Sequence, residues 1–149
     1  MKLSIPIFPG LIFALMLLSL PVHAQENRSG TFKTVQGAVS VGNSDVRRVV
    51  VSGGGVAESE RVQTDATGAA VLTLRDGTTI AIGPNTTVDL TRFQFDGTTQ
   101  QGSLVIRVLQ GTVRMVTGIL GKIQPDNIKV NTPASTVSVR GTDFIVEVL

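Results

Sequence analysis

From about residue 35 onward, apolar and polar positions alternate with period two, and clusters of turn-forming residues interrupt the alternation. Ala70, Leu72 and Leu74 fall on one face of a predicted strand, and Ile80 and Ile82 on one face of the next. Leu104, Ile106 and Val108 form a third set, Ile128 and Val130 a fourth, and Phe144, Val146 and Val148 the last. Between them stand Gly42-Asn-Ser-Asp45, Gly53-Gly-Gly55, Asp65-Ala-Thr-Gly68, Asp76-Gly77, Gly83-Pro-Asn85, Asp96-Gly97, Gly111, Gly118-Ile-Leu-Gly121, Pro125-Asp-Asn127 and Arg140-Gly141. No window carries an amphipathic helical stripe, and 16 glycines lower helix propensity further. The pattern predicts an all-β fold, either a twisted β-sandwich or a short β-solenoid.

One hairpin can be set in register from the sequence. A two-residue turn at Asp76-Gly77 would put the leucines and isoleucines on opposite faces. A three-residue loop, Arg75-Asp76-Gly77, pairs Leu74 with Thr78, Leu72 with Ile80 and Ala70 with Ile82. All large apolar residues then face one way, which is what fixes register when one face is buried. The loop requires Gly77 at positive φ. In the strand over 104–109, Val105 and Leu109 interleave with the apolar set, so burial on much of both faces is expected. Gly111 marks a bulge or bend within a long strand. The tetrapeptide Asp-Gly-Thr-Thr occurs at 76–79 and again at 96–99, an offset compatible with solenoid coils.

The N-terminus departs from this pattern. Lys2 precedes the apolar run Leu11–Leu20, and Pro21-Val22-His23-Ala24 follows with small residues at the cleavage positions. This is the layout of a secretory signal peptide cleaved after Ala24. The run is shorter than the roughly 20 residues a spanning helix needs, so no stable membrane insertion is expected after cleavage. The expected organisation is a signal peptide over 1–24, a flexible lead-in over 25–34, and one β domain over 35–149, in a periplasmic or secreted protein.

Composition removes several chemistries. The only histidine, His23, leaves with the signal, and the chain has no Cys, Trp or Tyr. No imidazole base, thiolate, Cys/His zinc site or disulfide is available to the β domain. Neither a metal nor an organic cofactor is expected. Lys and Arg total 13 against 11 Asp and Glu, so the charge is nearly balanced, and Arg47-Arg48 is the only adjacent basic pair. Nucleic-acid binding would call for clustered basic residues interleaved with aromatics, and is not expected.

The closing stretch, Thr132-Pro-Ala-Ser-Thr-Val-Ser-Val-Arg-Gly-Thr-Asp-Phe-Ile-Val-Glu-Val-Leu149, is the most distinctive. It joins a Thr-Pro before a strand to Val-Arg-Gly-Thr and then Phe-x-Val. Upstream, in order, come Val35-Gln-Gly-Ala-Val-Ser-Val41, Val56–Thr64 leading into a turn at Gly68, the hairpin around Asp76-Gly77, and Val108-Leu-Gln-Gly-Thr-Val113. Together these resemble the FecR family, named for a periplasmic regulator of bacterial ferric-citrate uptake. The resemblance implies an exported β domain with a role in recognition. Family regulators of iron uptake are similar to single-span proteins with a cytoplasmic sigma-controlling segment, and the present sequence shows neither that segment nor a transmembrane relay. The family-motif positions are Asp76, Gly77, Gly111, Thr132, Pro133, Arg140, Gly141, Thr142 and Phe144, expected to be structural.

Each candidate site has a plainer alternative. Arg140 could present a guanidinium to a partner carboxylate, or could pair with Asp143 and hold the turn at Gly141. Asp76 and Asp96 could be calcium ligands, but turn chemistry accounts for both. Glu58 and Glu60, two apart on a predicted strand face, resemble a glycosidic acid pair without a cleft. Ser52-Gly-Gly-Gly55 could close over a ligand or be a simple turn. Phe93 and Phe95 share a face and suit a core better than a sugar platform. The expectation is an exported, non-catalytic protein-recognition module in envelope or cell-surface signalling, the alternative being a glycan- or cell-wall-associated binding module.

Overall fold

The computed structural model describes residues 2–4 and 27–149. The expected signal peptide and its cleavage after Ala24 fall chiefly on residues 5–26, outside the described residues. Twelve strands carry the fold among the described residues: β1 (Arg28–Gln36), β2 (Val39–Gly42), β3 (Arg47–Val49), β4 (Gly55–Ala57), β5 (Arg61–Thr64), β6 (Ala69–Leu74), β7 (Thr79–Ile82), β8 (Thr87–Phe95), β9 (Gly102–Val116), β10 (Ile128–Asn131), β11 (Thr136–Ser138) and β12 (Asp143–Val148). A single helical turn, α1 (Ile119–Ile123), and a 3-10 turn at Pro125–Asn127 separate β9 from β10.

β9 organises everything else. Its first part, Gly102 to Gln110, pairs with β8 and β10, while Gly111 to Val116 pairs with β7 and β12. Two sheets therefore share one strand. Sheet I runs β4-β1-β6-β7-β9-β12, and sheet II runs β3-β2-β5-β8-β9-β10-β11. The pairings are antiparallel except β9 with β10. Solenoid coils would stack in parallel, so the sandwich is the architecture present, curled into a half-barrel around one core.

The expected bend at Gly111 is the crossing point. Gly111 has φ +90°, and a Cβ there would lie 2.2 Å from Thr86 Oγ1. Only glycine permits both the conformation and the close approach. Three other crossings between the sheets stack beside it: Gly37-Ala38, Asp65–Gly68 and Gly83–Thr86. Hydrogen bonds lace them together. Thr64 Oγ1 donates to Gly83 O at 2.6 Å and accepts from Thr86 N at 3.0 Å. Thr112 N donates to Thr86 Oγ1 at 3.1 Å, and Asn85 N to Asp65 O at 2.9 Å. The threonine hydroxyls satisfy backbone groups that the corner takes out of both ladders.

The core is apolar and shared. Phe32, Ile80, Leu104, Ile106, Met115, Leu120 and Ile128 are fully buried, with residues of both sheets in one cluster. Truncating one of them, as in Leu104→Ala, costs about 2–5 kcal/mol. The β6–β7 register is the expected one: Ala70 faces Ile82 and Leu72 faces Ile80. Leu74 N donates to Thr78 O, and Gly77 takes φ +85°.

Two expectations differ from the structure. The stretch 25–34 is not a flexible lead-in throughout, because β1 begins at Arg28 and pairs with both β4 and β6. Phe32 is the reason: it enters the core, and its flanking polar residues face outward. In β9, Leu104, Ile106 and Val108 are buried, but Val105 and Leu109 are half-buried and Arg107 is exposed. That strand has one core face, since no described residue covers the outside of sheet II there. Among the described residues no helix is long and apolar enough to cross a membrane.

Candidate functional site

The closing motif builds one side of the half-barrel. After β10 the chain turns at Thr132-Pro133. Ser135 N donates to Thr132 Oγ1 at 3.1 Å, and Thr132 N donates to Ser135 O at 2.8 Å. β11 then returns along β10, with Val130 opposite Val137. Arg140-Gly141-Thr142 carries the chain from sheet II to sheet I. Thr117 N donates to Thr142 O at 2.9 Å, which ties this link to the end of β9. β12 follows, with Phe144 opposite Met115 and Val148 opposite Gly111.

β12 and β11 are the edges of their sheets on this side, and neither has a second ladder partner among the described residues. Between them lies an apolar groove of about 870 Å³, lined by Leu109, Pro133, Val137, Val139, Phe144, Val146 and Val148 among others. Phe144, Val146 and Val148 pack against the core yet stay half-buried. Ile145, on the other face of β12, is 66% exposed. An edge strand with a half-covered apolar row can accept a further strand: its backbone groups supply hydrogen bonds and the groove takes alternate side chains.

Arg140 does not pair with Asp143. Its Nη2 lies 3.2 Å from Asp126 Oδ1, and both side chains are about four-fifths exposed, at 80% and 76%. Asp143 is held instead by Arg114, through bonds of 2.9 and 2.6 Å. Val116 stands opposite Asp143 in the ladder, so Arg114, two positions along, reaches it diagonally. The Arg114 guanidinium lowers the Asp143 carboxyl pKa.

Asp76 and Gly77 lie away from the groove, at the β6–β7 turn. Asp76 is only 1% exposed. Its carboxylate accepts from Thr78 N at 3.0 Å and Thr78 Oγ1 at 2.7 Å. Its backbone oxygen accepts from Ile119 N at 2.9 Å, and Thr78 Oγ1 accepts from Gly118 N at 3.0 Å. The turn is thereby fastened to the start of α1. The nine motif positions thus divide between the open side, the Gly111 corner and this buried turn.

The family model described as FecR protein matches residues 60–148. The chain belongs to the FecR family. The matched span runs from the β5 entry through β12 and includes every motif position on the open side. No curated protein and no solved structure matches the chain. Membership is consistent with a signalling-related domain associated with the cell envelope.

Glu58 and Glu60 do not form an acid pair in this FecR domain. Glu58 and Ser59 make the turn between β4 and β5, with Ser59 at φ +70°, so the carboxylates diverge. Glu58 Oε2 accepts from Phe93 N at 3.0 Å. Glu60 takes both nitrogens of the Arg48 guanidinium at 2.6 and 3.0 Å and accepts from Ala57 N at 2.8 Å. The Arg48 bond is the main cause of a lowered Glu60 pKa, opposed by partial burial. Ser52–Gly55 is pinned as well: Gly53 N donates to Phe32 O and Phe32 N to Gly54 O. Phe93 is buried and Phe95 packs against the core.

The FecR domain also holds an arrangement that linear reading missed. Arg47 stands opposite Gly42, Gly42 opposite Arg61, Arg61 opposite Asp89, and Asp89 opposite Arg107. Three arginines, distant in sequence, lie in one row across the outer face of sheet II. Arg61 stands beside buried Val62, and Arg107 between buried Ile106 and Val108, whereas Arg47 has exposed neighbours, Val46 and Arg48. The parity at Arg61 and Arg107 was the available signal, but it needed the strand order.

Proposed function

We propose that this FecR domain is an exported, non-catalytic protein-recognition module in envelope or cell-surface signalling, and that it takes an extended segment of a partner chain along β12. The observation that carries this is the unpaired edge of β12 beside the apolar groove. Added as a strand, the partner segment would place alternate apolar side chains against Phe144, Val146 and Val148. Its other face would meet Ile145, Glu147 and the Arg114–Asp143 pair, so a basic residue suits it beside Glu147. Second copies of β12 fit less well, because antiparallel self-pairing about Ile145 sets Asp143 against Glu147. Export, supported by the N-terminal pattern, gives such a module access to envelope partners.

A photocrosslinker at Ile145 in cells tests the reading, with one at Lys33, exposed on the far side of sheet I, as control. A defined protein adduct from Ile145 and not from Lys33 is expected, and Val146→Asp should abolish it. Identical adduct patterns from both positions would remove the proposal.

A further inference from the structure

The arginine row floors a second, separate hollow. It measures about 400 Å³ and is lined by Asn43, Ser44, Arg47, Ser59, Arg61, Asp89, Thr91 and Arg107. We infer that this hollow binds the oxyanion of an acidic saccharide, a carboxylate or a phosphate ester, through Arg47 and Arg107.

Charge comes first. Arg61 grips Asp89 through both carboxylate oxygens, at 2.5 and 2.9 Å. That pair is neutral overall and fixes Arg61 in place. Arg47 and Arg107 have no hydrogen bond or ion pair to any described residue. The hollow therefore carries two uncompensated guanidiniums flanking a neutralised pair. One row further along β9, Arg92 and Lys129 stand on either side of Val105, both exposed. Asp89 is the one carboxylate among the outward strand residues of this face. A preformed field of this sign attracts anions, and a guanidinium fork matches a carboxylate or phosphate.

The walls narrow the class. Asn43, Ser44, Ser59 and Thr91 are polar and uncharged, and suit hydroxyl groups. No aromatic side chain lines the hollow, so there is no platform for stacking nucleobases. The walls are also built rather than loose. Asn43 Oδ1 accepts from Asp45 N and Val46 N, which locks the β2–β3 turn. Ser59 N donates to Leu90 O at 2.8 Å, which fixes the other wall against β8. A bulge in β8 between Leu90 and Arg92 places Thr91 at the rim. An acidic sugar fits this combination better than an oligonucleotide. The site lies on the outer face of sheet II, so it does not depend on the β12 groove.

Titration of the purified full chain at low salt tests this, followed by NMR or calorimetry. The probes are a galacturonate oligomer, glucose 6-phosphate, a neutral galactose oligomer and oligo-dT. Expected is binding of the galacturonate or the sugar phosphate, weakening with salt, with no binding of the neutral oligomer. Which of the two binds distinguishes carboxylate from phosphate. Arg47→Ala with Arg107→Ala should weaken that binding at least about tenfold, the loss of one or two charge-assisted contacts. Lys33→Ala should leave it unchanged. Both arginines are exposed, so the double variant should melt like the parent. Binding of neither acidic sugar, equal binding of the neutral oligomer or oligo-dT, or an affinity indifferent to the double variant would overturn the inference.

Discussion

The same four residues, Asp-Gly-Thr-Thr, make two turns with opposite standing in the molecule. At 76–79 the aspartate is buried, and both its carboxylate oxygens are used by Thr78. At 96–99 the aspartate is exposed, and Oδ1 accepts from Thr98 N at 2.8 Å and Thr99 N at 3.2 Å. The two share one local feature, a side-chain oxygen that captures the backbone N–H two residues on, although Gly77 takes φ +85° and Gly97 no positive φ. The difference in burial is tertiary. Gly118 and Ile119 land on the first turn and donate to it. The second spans a wider loop, closed by Asp96 N to Gln101 O and by Gln100 at φ +58°. A turn motif thus specifies a local bend, and the chain that docks on it decides whether it also holds the fold.

The sharpest way to break this contrast is to delete each carboxylate. Asp76→Ala leaves the buried Thr78 N–H and hydroxyl without their acceptor and loosens the α1 attachment. The expected cost is about 2–3 kcal/mol, against less than about 1 kcal/mol for Asp96→Ala, where water replaces the lost bonds. Urea unfolding of both variants measures it. Equal losses would mean that docking at Gly118 adds nothing. Asp76→Asn should fall between, since it keeps one acceptor oxygen for Thr78 N.

The docking contact can be tested from its other partner. A Cβ on Gly118 would lie 2.2 Å from Asp76 O and 2.5 Å from Thr78 N. These are backbone atoms, so neither can swing aside. Gly118→Ala should cost about 1–3 kcal/mol by overpacking. Gly97, inside the exposed turn where no glycine docks, has open space around it and no positive φ, so Gly97→Ala should be close to neutral. Thermal melts of the two glycine variants give the comparison directly.

These turns also mark how far the sequence could be followed. Period-two alternation and the one-face rule were enough for the all-β class and for the β6–β7 register, because both are local. The fate of Asp76 was not legible, since it depends on a glycine 42 positions away in the chain. Of the roles open to Arg140, pairing with Asp143 does not occur, for a related reason. Its neighbour Asp143 sits on a strand whose ladder brings Arg114 to it, while the crossover lays Arg140 beside Asp126. Glu58 and Glu60 were read as strand neighbours because alternation continues through them, but Ser59 in the left-handed region ends the strand. The arginine row was hidden most completely: its members come from β3, β5 and β9, and only strand order makes them adjacent.

The smallest effect comes from a third aspartate turn, which separates backbone capture from burial. Asp65 Oδ1 accepts from Thr67 N at 2.9 Å and Thr67 Oγ1 at 3.0 Å, with the side chain exposed as at Asp96. The Thr67 backbone bond holds the Asp65 carboxyl below its ordinary range. A depressed folded value means that the ionised form favours the fold. That contribution is complete above the unfolded pKa of about 3.9 and is lost as pH falls through the lower folded value. Asp65→Asn should therefore flatten the acid limb of a stability–pH curve below about pH 4 and leave the neutral limb nearly parallel to the parent. An NMR titration of the Asp65 carboxyl should show a midpoint below the ordinary aspartate value. A midpoint at or above it would mean that capture of a backbone N–H at an exposed turn does not bias the carboxylate, and the contrast between the two Asp-Gly-Thr-Thr turns would then rest on burial alone.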